Sequence, residues 1–240
     1  MSSSIPSAPV RGVLFDVDDT LFDYTTSERV GLIEHLASEG LLELFPTPAD
    51  AVAMWRAIME EEYARFLAGE LTFTGHQLVR ARRFLTHVGH GGLSDEEAFA
   101  WFERGAAFRN AQWSAFPEAD AALRSLAHFR LGVVSNSTLA FQRHKLGVIG
   151  LLAHFGEAIV CSVEHGLPKP HPGIFLAGCE LLGLPPHEVA YVGDKYDIDA
   201  LGARDAGLRA FWLDRAATGV VPADGVTVIR SLEDLVTALA

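Results

Sequence analysis

The chain has 240 residues, 49% of them apolar and 21% charged, enough to bury a substantial core as one large domain or as a core with an insertion. Its 31 acidic against 19 basic residues give a net charge of -12, which excludes a general nucleic-acid or anionic-membrane binder and suits a cation. Cys161 and Cys179 have no CxxC or Cys/His spacing around them, so the pair reads as reduced thiols rather than a disulfide framework or a zinc site.

Residues 1 to 9, rich in Ser and Pro, read as a loose tail without the charged and apolar regions of a secretory signal. No stretch reaches about 18 uninterrupted apolar residues, so the expectation is a cytoplasmic protein with no membrane partner. The run VLFD, 13 to 16, predicts a short strand, and Asp18 and Asp19 follow it at once. After Tyr24 the pattern changes: four helical segments fill roughly residues 26 to 112, the first opening at Ser27 and stopping at Gly40. Past Pro117 short apolar strands alternate with helices. Strands are predicted at LGVVSNS, EAIVCS, EVAYVGD, RAFWLD and GVTVI, and helices at EADAALRSLAHF, TLAFQRHKLG, HPGIFLAGCELLG, DIDALGARDAG and SLEDLVTALA.

This alternation predicts a doubly wound α/β domain with a mostly parallel sheet, residues 1–24 and 113–240, interrupted after its first strand by an all-helical domain, residues 25–112. Ligands in such sheets bind outside the carboxyl ends of the strands, and the polar residues fall there. Asp16 ends the first strand, Ser135 and Asn136 end the second, Asp194 follows YVG with Asp197 and Asp199 beyond, and the loop GLPKPHPG carries Lys169.

In an extended segment positions i and i+2 share a side, so Asp16 and Asp18 can face one small volume, which Asp194 joins. A hard divalent cation removes the repulsion among them, and Mg²⁺ is the usual choice where a phosphate shares the site. Lys169 stands between two prolines that hold its loop extended. Ser135 offers a hydroxyl, and the start of the next helix offers amide donors. Cation, ammonium, hydroxyl and amides together suit a phosphoryl group. One carboxylate can then act as nucleophile and another as acid/base, and Asp16 and Asp18 fit those roles.

The ordered set DVDDT (16 to 20), SNS (135 to 137), KP (169 and 170) and GDKYDID (193 to 199) resembles the four motifs of the haloacid dehalogenase (HAD) superfamily, in its phosphatase branch with a helical cap. The resemblance implies a Rossmann-like core, with Asp16 as nucleophile, Asp18 as acid/base, and Lys169 neutralising the phosphoryl group and orienting Asp16. It implies Mg²⁺ held by Asp16, the Asp18 backbone carbonyl and Asp194, with Asp199 in support, and phosphate bound by Ser135 and the Asn136 backbone amide. Lys195 departs from the small polar residue often found after GD.

The expected activity is Mg²⁺-dependent hydrolysis of a small phosphate monoester through an aspartyl phosphate, by a monomer or homodimer. A nucleotide-like monophosphate is favoured because residues 62 to 85 weakly resemble caps of nucleotidases and because rings such as Trp55, Tyr63, Phe66, Phe73, Phe84, Trp101 and Phe102 could stack on a planar group, although most read as bundle core. The alternatives are a 2-haloacid dehalogenase, against which Asp18 counts, a phosphomutase, and a non-catalytic binding module. A phosphonate hydrolase would usually need a cap lysine, and the only lysines are Lys145, Lys169 and Lys195.

Overall fold

The structure is a computed structural model that describes residues 9–240. It divides into two compact units, one running to Asp23 and resuming at Ala115, the other Tyr24–Ser114.

In the first unit β1 (Gly12–Phe15) is buried along its whole length, as expected of an apolar run covered on both sides. After the inserted unit come α5 (Ala119–Ser125), β2 (Arg130–Ser135), α6 (Leu139–Val148), β3 (Ile159–Cys161), α7 (Ser162–His165), α8 (Pro172–Leu182), β4 (Val189–Gly193), α9 (Leu201–Asp205), β5 (Arg209–Leu213), β6 (Val226–Ile229) and α10 (Leu232–Leu239). The six strands form one sheet in the order β3-β2-β1-β4-β5-β6, every pairing parallel. Successive strands run outward from β1 on one side and from β4 on the other, so the order reverses between β1 and β4 and opens a crevice at their carboxyl ends. Leu14, Val134 and Tyr191 share one sheet face, where Ile174, Phe175 and Cys179 of α8 and Ala203 of α9 pack. Phe15 meets Phe155 edge to face at 6.0 Å.

Three details differ from the sequence expectation. The helix predicted over EADAALRSLAHF ends at Ser125, four residues early. The segment predicted as one helix from Asp197 begins instead with a turn of π-type backbone, Tyr196–Ala200, before α9. A short α7, not expected, follows β3 and closes on Gly166 at φ 89°.

The second unit is all helical: α1 (Tyr24–Ser38), α2 (Pro48–Leu67), α3 (Phe73–His87) and α4 (Asp95–Ala111). Thr47 and Ser94 close reciprocal capping boxes with Asp50 and Glu97, and Thr72 caps α3. Helix α1 packs on α4 and α2 on α3. Gly31 explains the first pairing, because a Cβ there would lie 2.5 Å from Arg109 Cα. Leu32, Leu36, Trp55, Phe84, Trp101 and Phe102 form the core of this unit, so these large rings are packing groups and not an open platform. Glu28, fully buried, is held by the Tyr24 hydroxyl at 2.7 Å and Trp55 Nε1 at 3.0 Å, both donating to Oε1. Among the described residues no helix is long and apolar enough to cross a membrane.

Candidate active site

Asp16 continues the β1 ladder by one residue, its amide donating to Val192 O at 2.9 Å, and then the chain turns sharply. The amides of Leu21 and Phe22 both reach Val17 O at 2.9 Å, which winds residues 17–22 into one tight turn. Asp19 takes φ 58°, a left-handed conformation that a short polar side chain tolerates. Phe22 then bridges Ala115, pairing the chain leaving β1 with the chain returning to it.

At the end of β2, Ser135 is buried and Asn136 is committed to the Lys169 peptide: Asn136 Oδ1 accepts from Lys169 N at 2.7 Å, and its Nδ2 donates to Lys169 O at 3.0 Å. The Asn136 side chain thus fixes the loop that delivers the lysine. The sequence reading concerned its backbone amide.

Lys169 is buried, and Nζ donates to Asp16 Oδ1 at 2.6 Å, Asp199 Oδ1 at 2.7 Å and Tyr191 Oη at 2.9 Å, which uses all of its hydrogens. Tyr191 in turn donates to Asp199 Oδ1 at 2.8 Å. The Lys195 amide donates to Asp199 Oδ2 at 3.0 Å, so the π-type turn brings both oxygens of Asp199 to partners. Gly193 makes room for this: a Cβ there would sit 2.5 Å from Asp199 Cγ. Asp194 follows Gly193, its carbonyl accepting from Trp212 Nε1 at 2.8 Å.

Electrostatics follow from burial. Burial raises the Asp16 carboxyl to about 7 against the pull of Lys169, and Asp199 and Asp18 add to the rise. Burial, with Asp16 and Asp199 beside it, also holds Asp194 well above the ordinary carboxylate range. Burial pulls Lys169 down, but Asp16 and Asp199 outweigh it and leave the ammonium held well above its ordinary value. Burial and the neighbouring Asp199 likewise raise Tyr191, which stays a neutral donor.

Oxygens of Asp16, Asp194 and Asp199 lie within 4.8 Å of one another. Oxygen-only donors, two of them pushed toward protonation by burial and by neighbouring carboxylates, fit a hard divalent cation. Asp16 and Asp194 could hold it, while Asp199, engaged by Lys169, Tyr191 and the Lys195 amide, braces the group.

The structure therefore brings Asp16, Lys169, Asp194 and Asp199 together, with Ser135 at the end of the adjoining strand. The Asp18 side chain points to other partners, Lys145 and Gln142 of α6. Gln142 Nε2 also donates to Ser135 Oγ at 2.8 Å. Tyr191, Gln142 and Lys145 were not singled out from the sequence. Tyr191 sits in an apolar strand and looks like core. Gln142 and Lys145 stand three apart on one helix face shortly after SNS, and the rarity of lysine in this chain is the one signal that could have found them. Asp197 and the side chain of Lys195 are exposed.

A parallel sheet with carboxylates from β1 and β4 at its switch point, and a lysine between them, defines a class, and the comparisons agree. Residues 10–207 match the family model described as haloacid dehalogenase-like hydrolase, and the chain belongs to that family. It is 33% identical over 207 residues to a phosphoserine phosphatase of Thermus thermophilus, covering 84% of this chain and 71% of that protein. It is 30% identical to a glyceraldehyde 3-phosphate phosphatase of Methanopyrus kandleri, covering 83% and 82%. In fold it matches a putative HAD-hydrolase of Bacillus subtilis bound to magnesium, with a TM-score of 0.82 at 24% identity over 96% of this chain and 99% of that one.

Proposed function

We propose that the protein is a Mg²⁺-dependent phosphatase that hydrolyses a small phosphate monoester through an aspartyl phosphate on Asp16. The observation that carries this reading is the state of Asp16: Oδ1 is anchored by Lys169, while Oδ2 receives, among the described residues, only a long 3.4 Å contact from Thr20 Oγ1. One oxygen is fixed and the other keeps lone pairs for attack.

Asp16 attacks phosphorus and the bond to the leaving oxygen breaks, with Asp18 giving that oxygen a proton. Water then attacks the same phosphorus, Asp18 takes its proton, and the bond to Asp16 breaks. Ser135 Oγ and the Asn136 backbone amide bind phosphoryl oxygens, and Lys169 offsets their charge while aiming Asp16. Magnesium, when bound to Asp16 and Asp194, would supply neutralisation of the phosphoryl charge. The helical unit is assigned the selection of the substrate.

The relatives named for phosphoserine and glyceraldehyde 3-phosphate support a small aliphatic phosphomonoester as substrate. A nucleotide-like substrate loses most of its support, because Trp55, Phe84, Trp101 and Phe102 are buried in the helical core. Dehalogenation is disfavoured by Asp18, for which halide displacement has no use. The test is a panel of phosphorylated metabolites and 2-haloacids with and without Mg²⁺, run beside Asp16→Asn. Metal-dependent phosphate release by wild type, and its loss by three or more orders of magnitude in the variant, is expected. Halide release without metal, or wild-type turnover by the variant, overturns the reading.

A further inference from the structure

Asp16 is held by one lysine, and Asp18 has another. Lys145 Nζ ion-pairs with Asp18 Oδ1. Its own side chain is almost fully buried, with the ammonium 4.6 Å from the Phe22 ring centre and 4.9 Å from that of Phe141. Gln142, one turn earlier on α6 and completely buried, places Nε2 3.3 Å from Asp18 Oδ2 and 2.8 Å from Ser135 Oγ.

The polarity of this arrangement is forced. An ionised carboxylate can only accept, so Gln142 must turn its NH₂ toward Asp18. The two amide hydrogens then go to Asp18 Oδ2 and Ser135 Oγ. Ser135, accepting from Gln142, keeps its hydroxyl hydrogen to donate elsewhere, which is what a phosphoryl oxygen requires. Among the described residues Gln142 Oε1 has no partner. A buried glutamine that leaves its acceptor unsatisfied while its donors serve Asp18 Oδ2 and Ser135 Oγ is costly to the fold, by the ordinary preference for pairing buried polar atoms.

We propose that Lys145 and Gln142 are positioning residues: they fix the Asp18 carboxylate, Lys145 through Oδ1 and Gln142 through Oδ2, in register with the phosphate-binding hydroxyl of Ser135. The proposal rests on Asp18 being the acid/base of the phosphatase reading. Asp18 needs such support because its side chain is about one-third exposed and lies within the turn after β1, where no strand neighbour selects a single rotamer. The ion pair occupies Oδ1. Oδ2, whose longer 3.3 Å contact with Gln142 gives way when it is protonated, exchanges the proton: it passes to the leaving oxygen as the P–O bond breaks and returns from water as the aspartyl phosphate is hydrolysed, which restores the contact. The protein thus assigns a separate lysine to each carboxylate of the pair, Lys169 to Asp16 and Lys145 to Asp18.

Leaving-group dependence tests this, because an alkoxide must be protonated as it departs whereas 2,4-dinitrophenolate need not be. A positioning loss falls on the first substrate, and a general structural loss falls on both. For Lys145→Met, kcat/KM with an alkyl phosphate the wild type accepts should fall about 10- to 100-fold. That loss should exceed the loss with 2,4-dinitrophenyl phosphate by about ten-fold or more, with KM for both changed little. If Lys145→Met does not fold, Lys145→Gln, which keeps a donor without the charge, carries the same comparison. Asp18→Asn is measured alongside. Equal losses on both substrates in the lysine variant, with a steep leaving-group dependence in Asp18→Asn, overturn the positioning role alone. Equal losses in Asp18→Asn overturn the acid/base assignment itself, and the positioning role with it.

Discussion

Replacing Lys169 with Met should remove the counter-charge from a buried site and leave the carboxylates in place. At 2.6 and 2.7 Å from Asp16 and Asp199, the ammonium gains about 6 kcal/mol of gross Coulomb attraction to each, taking an effective dielectric constant of about 20. Desolvation of the ion returns much of this, but removing one partner strands the others, so the expected net loss of stability is about 3 to 5 kcal/mol. The loss should depend on pH with a definite sign. Without Lys169, the chief downward influence on Asp16 is gone, and its carboxyl titrates above the value of about 7 it already has. A carboxyl held above its ordinary value destabilises the fold as pH rises from that ordinary value through the folded one. Wild type shares that loss up to its own folded value, so the deficit of the variant grows only above about pH 7. Urea denaturation in EDTA at several pH values measures it, and Lys169→Met/Asp199→Asn should recover at least half by removing one stranded carboxylate. A deficit below about 1 kcal/mol at pH 8, or no recovery in the double variant, would refute the reasoning.

Mg²⁺ should stabilise the protein as well as activate it, by about 2.7 kcal/mol at a hundred times its dissociation constant, and the melting temperature of Asp194→Asn should respond far less; equal responses would place the cation elsewhere. His76 is buried beside Phe66 and Phe73, and burial, aided by Arg80, lowers its pKa to about 4. Since the unfolded chain takes up the proton near pH 6.5 and the folded one only near 4, wild type should lose up to about 3 kcal/mol across that interval relative to His76→Phe, read from urea midpoints of both proteins. Gly31→Ala should cost about 1 to 3 kcal/mol in thermal or urea unfolding, because the added methyl meets the Arg109 backbone and α1 must move off α4; an unchanged melting temperature would contradict that close approach.

The sheet was legible because its strands are buried on both sides, and runs such as GVLF and VAYVG carry that in composition alone. The parts missed are those where local pattern is overruled. The turn at Tyr196–Ala200 reads as helix, yet Asp199 is drawn toward Lys169 and Tyr191, and the backbone widens to let it reach. Asp16, Lys169, Asp194 and Asp199 were visible because each closes or follows a strand. Lys145 and Gln142 were not, because their partner Asp18 lies more than a hundred residues away and they sit inside an ordinary amphipathic helix. In a chain whose only lysines are at positions 145, 169 and 195, the identity of the residue was itself a signal.

The bridge between Phe22 and Ala115 pins together the points where the chain leaves β1 and comes back. To the sheet, everything between them is a closed loop, and the entropy of closing a loop rises only with the logarithm of its length, about 0.6 kcal/mol for each doubling. The fold that carries the carboxylates is therefore nearly indifferent to how long the intervening stretch is. Substituting a helical insert of different length at that seam should carry little thermodynamic penalty for the sheet, so the two units can vary in size as separate modules of one chain.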